Sequence, residues 1–342
     1  MSVKDVIKEY NQKGLTQMSN GVNFPDSPRL PTGNFAMDYA MGGGLPMGKV
    51  SILWGDESSC KTTLALKAAG NFQKLYPKYK AVLFDLEQSF QPEWAKQLGV
   101  DTDDLVYVFP AYAEKVVDML MSFMEAPDCG LIIIDSLGVF AKGNEMESSA
   151  DKTMVGGSAL VISKLFRKMT TKTGLLAIEG RPSPTIIVIN QTRIQIGMMF
   201  GDPTTMVGGK APRFASSMTA RLWGKNIMDT GVHPTIPAWK EVKGVLTKWR
   251  VPILQRNFES NMAAIHTPQI QQGDFGFWAL VKSESQRLGL MEKGKKAWTF
   301  HGEEYKTQNA ILAALEDVGY ATAIQQKVSQ AAVADLNKYQ KT

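Results

Sequence analysis

Cysteine is almost missing from this chain. Cys60 and Cys129 are the two in 342 residues, so no disulfide framework braces it and the fold must rest on the buried core that such a length can supply. Histidine is as scarce: His233, His266 and His301 are scattered without metal-ligand spacing, which argues against a structural metal. No apolar run approaches the roughly 18 residues of a membrane span. The start, MSVKDVIKEYNQKG, is charged and polar and lacks the apolar core and cleavage site of a secretory leader. These absences predict a cytoplasmic protein with no membrane partner. Internal repeats and low-complexity tracts are missing too, and the end, QKVSQAAVADLNKYQKT, has no acidic run. A formal net charge of +5 permits a polyanionic partner without demanding one.

What is present is alternation. From Leu30 onward apolar runs of strand length, VSILW (50–54), AVLFDL (81–86), LVYVF (105–109), LIIID (131–135) and TIIVIN (185–190), alternate with stretches of helical spacing at 62–75, 114–124 and 158–169. Near-continuous apolar strands fit a mainly parallel sheet covered by helices on both faces. After Arg213 longer, more polar strands such as TARLW and VLTKW predict an antiparallel extension. Residues 1–13 have the pattern of a short helix and 14–31 that of a connector; from about 271 the chain reads as α-rich, with ILAALEDVGY (311–320) as its most regular helix.

The run VSILWGDESSCKTTLAL joins a buried strand to a helix through Gly55, Asp56, Glu57, Ser58, Ser59 and Cys60, and Lys61, Thr62 and Thr63 open the helix. Such a loop turns backbone N–H groups inward around phosphate oxygens, its lysine reaches the outer phosphates, and the next hydroxyl binds Mg2+. Cys60 stands where the general pattern has its second glycine, so a side chain strains the loop there, with its thiol expected against the triphosphate. Downstream, LIIIDS ends a strand in Asp135, from which a carboxylate can hold the Mg2+ shell. Glu87, two residues after Asp85, is a candidate base to align and deprotonate an attacking water; capping of the next helix is the plainer alternative.

The order and spacing of LPTGNFAMDYAMGGGLPMGKV, GDESSCKTT, FDLEQSFQPEWAKQLGVD, IIIDS and INQTRIQIGMMFGDPTTMVGGKAPRFASS across residues 30–220 resemble the RecA family of strand-exchange recombinases and its bacteriophage relatives. The resemblance implies an α/β fold: a RecA-type P-loop ATPase core with a mainly parallel twisted sheet flanked by helices, a short N-terminal arm and a small α-rich C-terminal domain. The implied boundaries are 1–31 for the oligomerisation arm, 32–270 for the ATPase and DNA-binding core, and 271–342 for the C-terminal domain. The implied cofactors are ATP and Mg2+, with residues 55–63 around the triphosphate, Thr62 and Asp135 on the metal shell, and Glu87 and Lys61 as catalytic residues. Gln191 falls at the family's γ-phosphate sensor and Trp94 at an aromatic position near the base, while Gln91 stands where the family usually has an acidic residue.

The partners the resemblance implies are single-stranded DNA, homologous double-stranded DNA and further copies of the chain in a helical filament, with single-strand-binding and mediator proteins beside them. Two DNA-facing loops fall at about 142–157 and 192–209. In the first, Met154 or Val155 is the wedge, Ser163 and Arg167 on the following helix meet phosphate, and Leu160 replaces a basic position. In the second, Ile194, Ile196 and Gly197 contact or wedge between bases; Gly208, Gly209 and Lys210 meet phosphate, and Arg193 and Arg213 stand beside them. Wedging and backbone contacts to phosphate are blind to sequence. Lys248 and Arg250, at i and i+2 in VLTKWRVP, point to one face of a strand. The resemblance sends that pair across a subunit boundary to the neighbour's γ-phosphate; a solvated edge strand is the alternative.

Lys243, Lys293, Lys295, Lys296 and Lys306 are candidates for the second duplex, or simply a charged surface. The segment GLLAIEGRPSP is a few residues longer than the family pattern and has no functional reading. Competing functions on related folds are a hexameric helicase, a small-molecule kinase and a nucleotide switch. A filament rather than a closed ring on single-stranded DNA separates the first of these from a recombinase.

Overall fold

In a computed structural model the chain is described at residues 5, 8, 27–110, 113–139, 157–194, 201–266 and 271–339. Most of the expected N-terminal arm lies outside the described residues, as do Met154, Val155, Ile196 and Gly197. The chain enters through β1 (Arg29–Leu30), which pairs antiparallel with β2 (Leu45–Pro46). Between them α1 (Phe35–Ala40) is started by Asn34, whose side chain accepts from the Ala36 and Met37 amides.

The alternation then follows as β3 (Val50–Gly55), α2 (Lys61–Leu75), β4 (Lys80–Asp85), α3 (Pro92–Gln97), β5 (Leu105–Val108), α4 (Ala113–Glu125), β6 (Cys129–Asp135), α5 (Gly157–Ile178) and β7 (Thr185–Ile194). After these come β8 (Thr204–Met206), α6 (Ala211–Ala215), β9 (Met218–Ile227), β10 (Trp239–Trp249) and β11 (Asn257–Ala263). Among the described residues they build a nine-stranded sheet in the order β11-β10-β9-β3-β7-β6-β4-β5, with β8 paired to β7 off this path. The antiparallel extension begins one strand later than the sequence pattern predicts. β9 still runs parallel to β3; β10 reverses against β9, and β11 reverses again against β10.

Successive side chains of a strand point to opposite faces, and here both faces are dry. Leu53, Leu83, Leu131, Ile133 and Ile187 pack with Leu64, Ala68 and Phe72 of α2. Their neighbours Ile52, Val82, Ile132, Ile134 and Ile186 pack instead with Val116 and Leu120 of α4 and with Ile162, Phe166 and Met169 of α5. Burial of each such side chain contributes roughly 1.5–3 kcal/mol, which makes the sheet the rigid floor of whatever sits at its ends.

Helix α5 is longer than its apolar spacing to Met169 predicts, because GLLAI continues it and buries Leu176. It stops at Gly180, at φ +69°, where the Gly180 amide bonds the Ala177 carbonyl at 3.1 Å and the Arg181 amide bonds that of Leu176 at 2.8 Å. Arg181 then donates to the Glu125 carbonyl at the end of α4 at 2.5 Å.

The last part holds α7 (Trp278–Arg287), a three-stranded antiparallel sheet of β12 (Met291–Lys293), β13 (Trp298–Phe300) and β14 (Glu303–Tyr305), and the helices α8 (Gln308–Ala314) and α9 (Val318–Tyr339). The helix expected at 311–320 is therefore two. Asp317 accepts from the Tyr320 amide at 2.7 Å and so starts a new helix where the apolar spacing alone continues the old one. Phe35 and Tyr39 of α1 join Val281, Phe300, Ile311 and Ile324 in a third apolar cluster, and the Tyr39 hydroxyl donates to Glu284 at 2.5 Å. No helix of the described residues is long and apolar enough to cross a membrane.

Candidate functional site

The C-terminal ends of β3, β4, β6 and β7 bring together a group of polar side chains. β3 stops at Gly55, which has φ +150° and where a Cβ would lie 1.8 Å from the Leu222 carbonyl oxygen. Glycine is therefore required by contact as well as by conformation. Ser58 and Cys60 also adopt left-handed backbone, with φ of +58° and +65°. Such residues turn successive N–H groups toward one concave side and cost about 1–2 kcal/mol each. Cys60 is the N-cap of α2 and makes no side-chain capping bond, so the first amides of that helix point outward along its axis.

Lys61, only 8% exposed, donates to the Asp56 carbonyl at 2.5 Å and the Ser59 hydroxyl at 3.1 Å. Burial lowers its pKa, against the pull of Asp135, Glu87 and Asp56. The Cys60 thiol turns away from the loop. It lies 3.8 Å from the Met262 sulfur inside the core cluster beneath α2, and burial pushes its pKa up. That corrects the expectation of a thiol against the triphosphate: at a left-handed φ the Cβ leaves on the core side.

The Thr62 hydroxyl donates to Asp135 at 2.7 Å. Burial raises Asp135 to about 6 despite that bond, with Glu87 and Asp85 adding to the rise and Lys61 opposing it. Glu87, exposed on the loop after β4, accepts from the Ser136 hydroxyl and, at 2.8 Å, from the Gln191 amide. Gly138 leaves room for this pairing, since a Cβ there would lie 2.7 Å from the Gln191 oxygen. Residues picked from separate stretches of sequence are thus paired, Thr62 with Asp135 and Gln191 with Glu87, while Lys61 bonds within its own loop. Glu87 caps no helix, because the N-cap of α3 is Gln91.

A cleft of about 220 Å3 opens beside this group, with Thr62 and Asp135 at one side and Leu66, Leu83, Phe90, Gln91 and Trp94 among its other walls. Asp85 organises it, accepting from the Ser89 and Phe90 amides at 3.3 and 3.0 Å and from the Tyr107 hydroxyl at 3.1 Å. Phe90 stacks on Tyr107 with ring centroids 5.1 Å apart.

β7 carries Gln191 and runs on to Arg193 and Ile194, both exposed, Ile194 at 75%. β8 braces it, with Thr192 opposite Met206 and Ile194 opposite Thr204. Gly208, Gly209 and Lys210 follow and lead into α6, which also holds Arg213. A Cβ on Gly208 would meet Ile162 of α5 at 2.5 Å, whereas Gly209 has open space. The second DNA-facing candidate therefore packs against α5, which presents Arg167 exposed and Ser163 half-buried. Leu160 is 73% exposed on the same helix.

Lys248 donates to the carbonyls of Arg213, Phe214 and Ser216, the last at 2.5 Å, and Arg250 donates to that of Phe214 at 2.8 Å. Burial, then the charges of Arg250 and Arg213, lower Lys248 to about 8. β10 pairs with β11 only from Trp239 to Val245, so at Lys248 it is held by β9 alone, as an edge is. Lys248 sits opposite Thr219, and the Arg250 amide bonds Ser217, whose own amide bonds Val50. The pair thus lies at the start of β3, with Gly55 at its other end.

The RecA N-terminal domain family matches residues 1–262 of the chain. Its relatives include Protein RecA of Mycobacteroides abscessus, 32% identical over 333 residues that cover 96% of this chain and 91% of that one. Protein RecA of Mycobacterium ulcerans is 31% identical over the same shares, and that of Mesoplasma florum is 32% identical over 256 residues, 74% of each chain.

The chain belongs to the RecA family.

Within this RecA-family chain, sequence reasoning missed Ser136 and the organising part of Asp85. Both stood inside quoted motifs, IIIDS and FDLE, as polar residues at the buried ends of strands, and burial of an uncompensated polar group is the signal that could have found them. Among the second-duplex candidates, Lys243 is tied to Glu241 and Glu259 at 3.2 and 3.4 Å. Lys293, Lys295, Lys296 and Lys306 are exposed on the small sheet and its turns.

Proposed function

We propose that this chain is an ATP-dependent DNA recombinase. It assembles as a helical filament on single-stranded DNA in the cytoplasm, pairs that strand with a homologous duplex and exchanges strands. DNA-stimulated hydrolysis of ATP to ADP and phosphate governs assembly and release. The observation that carries this reading is the Glu87–Gln191 hydrogen bond of 2.8 Å, set three residues before the exposed Ile194 on one continuous strand. The last four residues of β7 thereby join the triphosphate site at Gln191 to the DNA-facing hairpin at Ile194.

The residues present fit ATP and Mg2+. Outward amides at the start of α2 and the buried Lys61 suit phosphate, and the Thr62 hydroxyl with the Asp135 carboxylate is an oxygen pair of the kind a hard cation takes. Bound Mg2+ supplies charge neutralisation on the phosphate oxygens. Glu87 accepts the proton of the attacking water at its carboxylate, and Gln191, bonded to the same oxygen, senses whether the outer phosphate is there. Trp94 and Phe90 take the base in the adjoining cleft.

Arg193, Ile194, Gly208, Gly209, Lys210 and Arg213 engage DNA, with Ser163 and Arg167 of α5 alongside, and the exposed lysines of the small sheet receive the second duplex. Lys248 stands level with Ile52 and Arg250 with Val50, three and five strand steps from Gly55, about 10 and 17 Å at roughly 3.3 Å each, which favours a neighbour's site over its own. The phosphate they meet is therefore a neighbour's.

Glu87→Gln is the direct test. The variant should bind ATP normally, hydrolyse it at least about 100-fold more slowly, and leave long-lived filaments on single-stranded DNA in electron micrographs. Wild-type turnover would remove Glu87 as the base, and closed rings in place of filaments would favour a helicase.

A further inference from the structure

The cleft beside the phosphate loop has apolar walls and polar groups that are unequally committed. Thr62 and Asp135 are bonded to each other at 2.7 Å. Asp85 is consumed internally by the Ser89 and Phe90 amides and the Tyr107 hydroxyl, at 3.3, 3.0 and 3.1 Å. Gln91 lines the same cleft, is exposed, and makes no capping bond although it is the N-cap of α3. Its side-chain amide is thus a donor and an acceptor at the rim with neither function spent on the helix.

On the nucleotide reading above, we propose that Gln91 sets the base selectivity of this cleft and makes it permissive among purines, so that guanosine and adenosine triphosphates bind with similar affinity. Adenine shows an amino donor and a ring-nitrogen acceptor on the edge where guanine shows a carbonyl acceptor and a ring N–H donor. A carboxylate only accepts, so it matches the amino group and opposes the carbonyl. An amide answers either edge by turning about its terminal torsion, which is broad and two-fold. Phe90 and Trp94 contact ring faces, which both purines share.

The test is displacement of a fluorescent ATP analogue from the full-length protein, with Mg2+ and without DNA, by ATP and by GTP. It reads affinity and not turnover. Wild-type protein should give apparent affinities within about fivefold of each other, and Gln91→Glu should move their ratio at least about tenfold toward ATP, as a charged acceptor replaces the amide. The ratio is indifferent to any loss of folded protein, which weakens both nucleotides alike. A wild-type preference for ATP above about tenfold, or a ratio unmoved in Gln91→Glu, overturns the assignment of Gln91. Failure of the analogue to bind wild-type protein overturns the nucleotide reading itself, and this inference with it.

Discussion

The two ends of β3 make an instructive pair. At the Gly55 end, Lys61, Thr62, Glu87, Asp135 and Gln191 bond to one another or to near neighbours through their side chains, and burial shifts the charges of Lys61 and Asp135. At the Val50 end, the bonds of Lys248 and Arg250 go to backbone carbonyls at the end of α6. The first end holds two side-chain pairings, Thr62 with Asp135 and Gln191 with Glu87, beside a lysine bonded within its own loop. The second is a pair of cations on neutral acceptors, and a phosphate oxygen offers either of them a stronger, charge-assisted bond. On the function proposed above, one chain supplies half of a site at each end of its sheet, and the halves meet between copies.

Four changes break or sharpen that contrast. Lys61→Ala strikes the self-sufficient end and should have the largest effect, lowering ATP hydrolysis roughly 1,000-fold or more and abolishing strand exchange, because no other side chain in the loop brings positive charge to the phosphates. Steady-state hydrolysis with single-stranded DNA measures it, and normal turnover would remove the phosphate-site argument.

Replacing Lys248 and Arg250 together by Ala strikes the other end. Monomer ATP binding should stay nearly intact while DNA-stimulated hydrolysis falls about 100-fold and the extended filament is lost. Mixing this double variant with Glu87→Gln should partly restore hydrolysis, since each brings the half the other lacks. Mixtures that co-assemble yet never exceed either variant alone would end the shared-site mechanism.

The third change is in pH. Lys248 is held down to about 8, so its charged form is present below that pH and is lost as pH rises through it. DNA-stimulated hydrolysis should therefore fall about tenfold per pH unit well above 8, and Lys248→Arg should flatten that limb, because a guanidinium keeps its proton. A pH–rate profile shared by both proteins would assign the alkaline limb elsewhere.

Cys60→Gly should do least. Relief of the left-handed φ, about 1 kcal/mol, offsets loss of the thiol's contact with Met262, so denaturant stability should change by less than about 1 kcal/mol while ATP affinity is kept or improved. Alkylation of Cys60 in the wild type should be slow with or without ATP; strong protection by ATP would return the thiol to the phosphate side.

The central strands were legible because each is an apolar run long enough to be buried on both faces, and the polar residues at their ends then follow from chain direction. Asp135 was readable for that reason, whereas Gln191 came from the family resemblance alone. The side to which Cys60 turns was not, because it depends on the sign of φ and no residue type other than glycine announces that sign. The strands Met291–Lys293 and Trp298–Phe300 are three residues each, too short to display a period of two. The break before α9 hangs on one bond from Asp317, and apolar spacing runs straight through it.

β7 also has a mechanical character. Residues 185–190 are clamped in the core and 191–194 project beyond it, partly or wholly exposed, so the strand is a beam fixed in the sheet at one end and braced by β8 at the other. In a loaded beam the bending moment is greatest at the clamp, and the residue standing there is Gln191. On the proposed function, a tilt imposed at the Ile194 tip would act on the amide that holds Glu87, across a span that β8 braces. Shortening the free span would raise the force needed to disturb the Glu87 contact, and lengthening it would lower that force, which makes the length of the overhang an adjustable threshold.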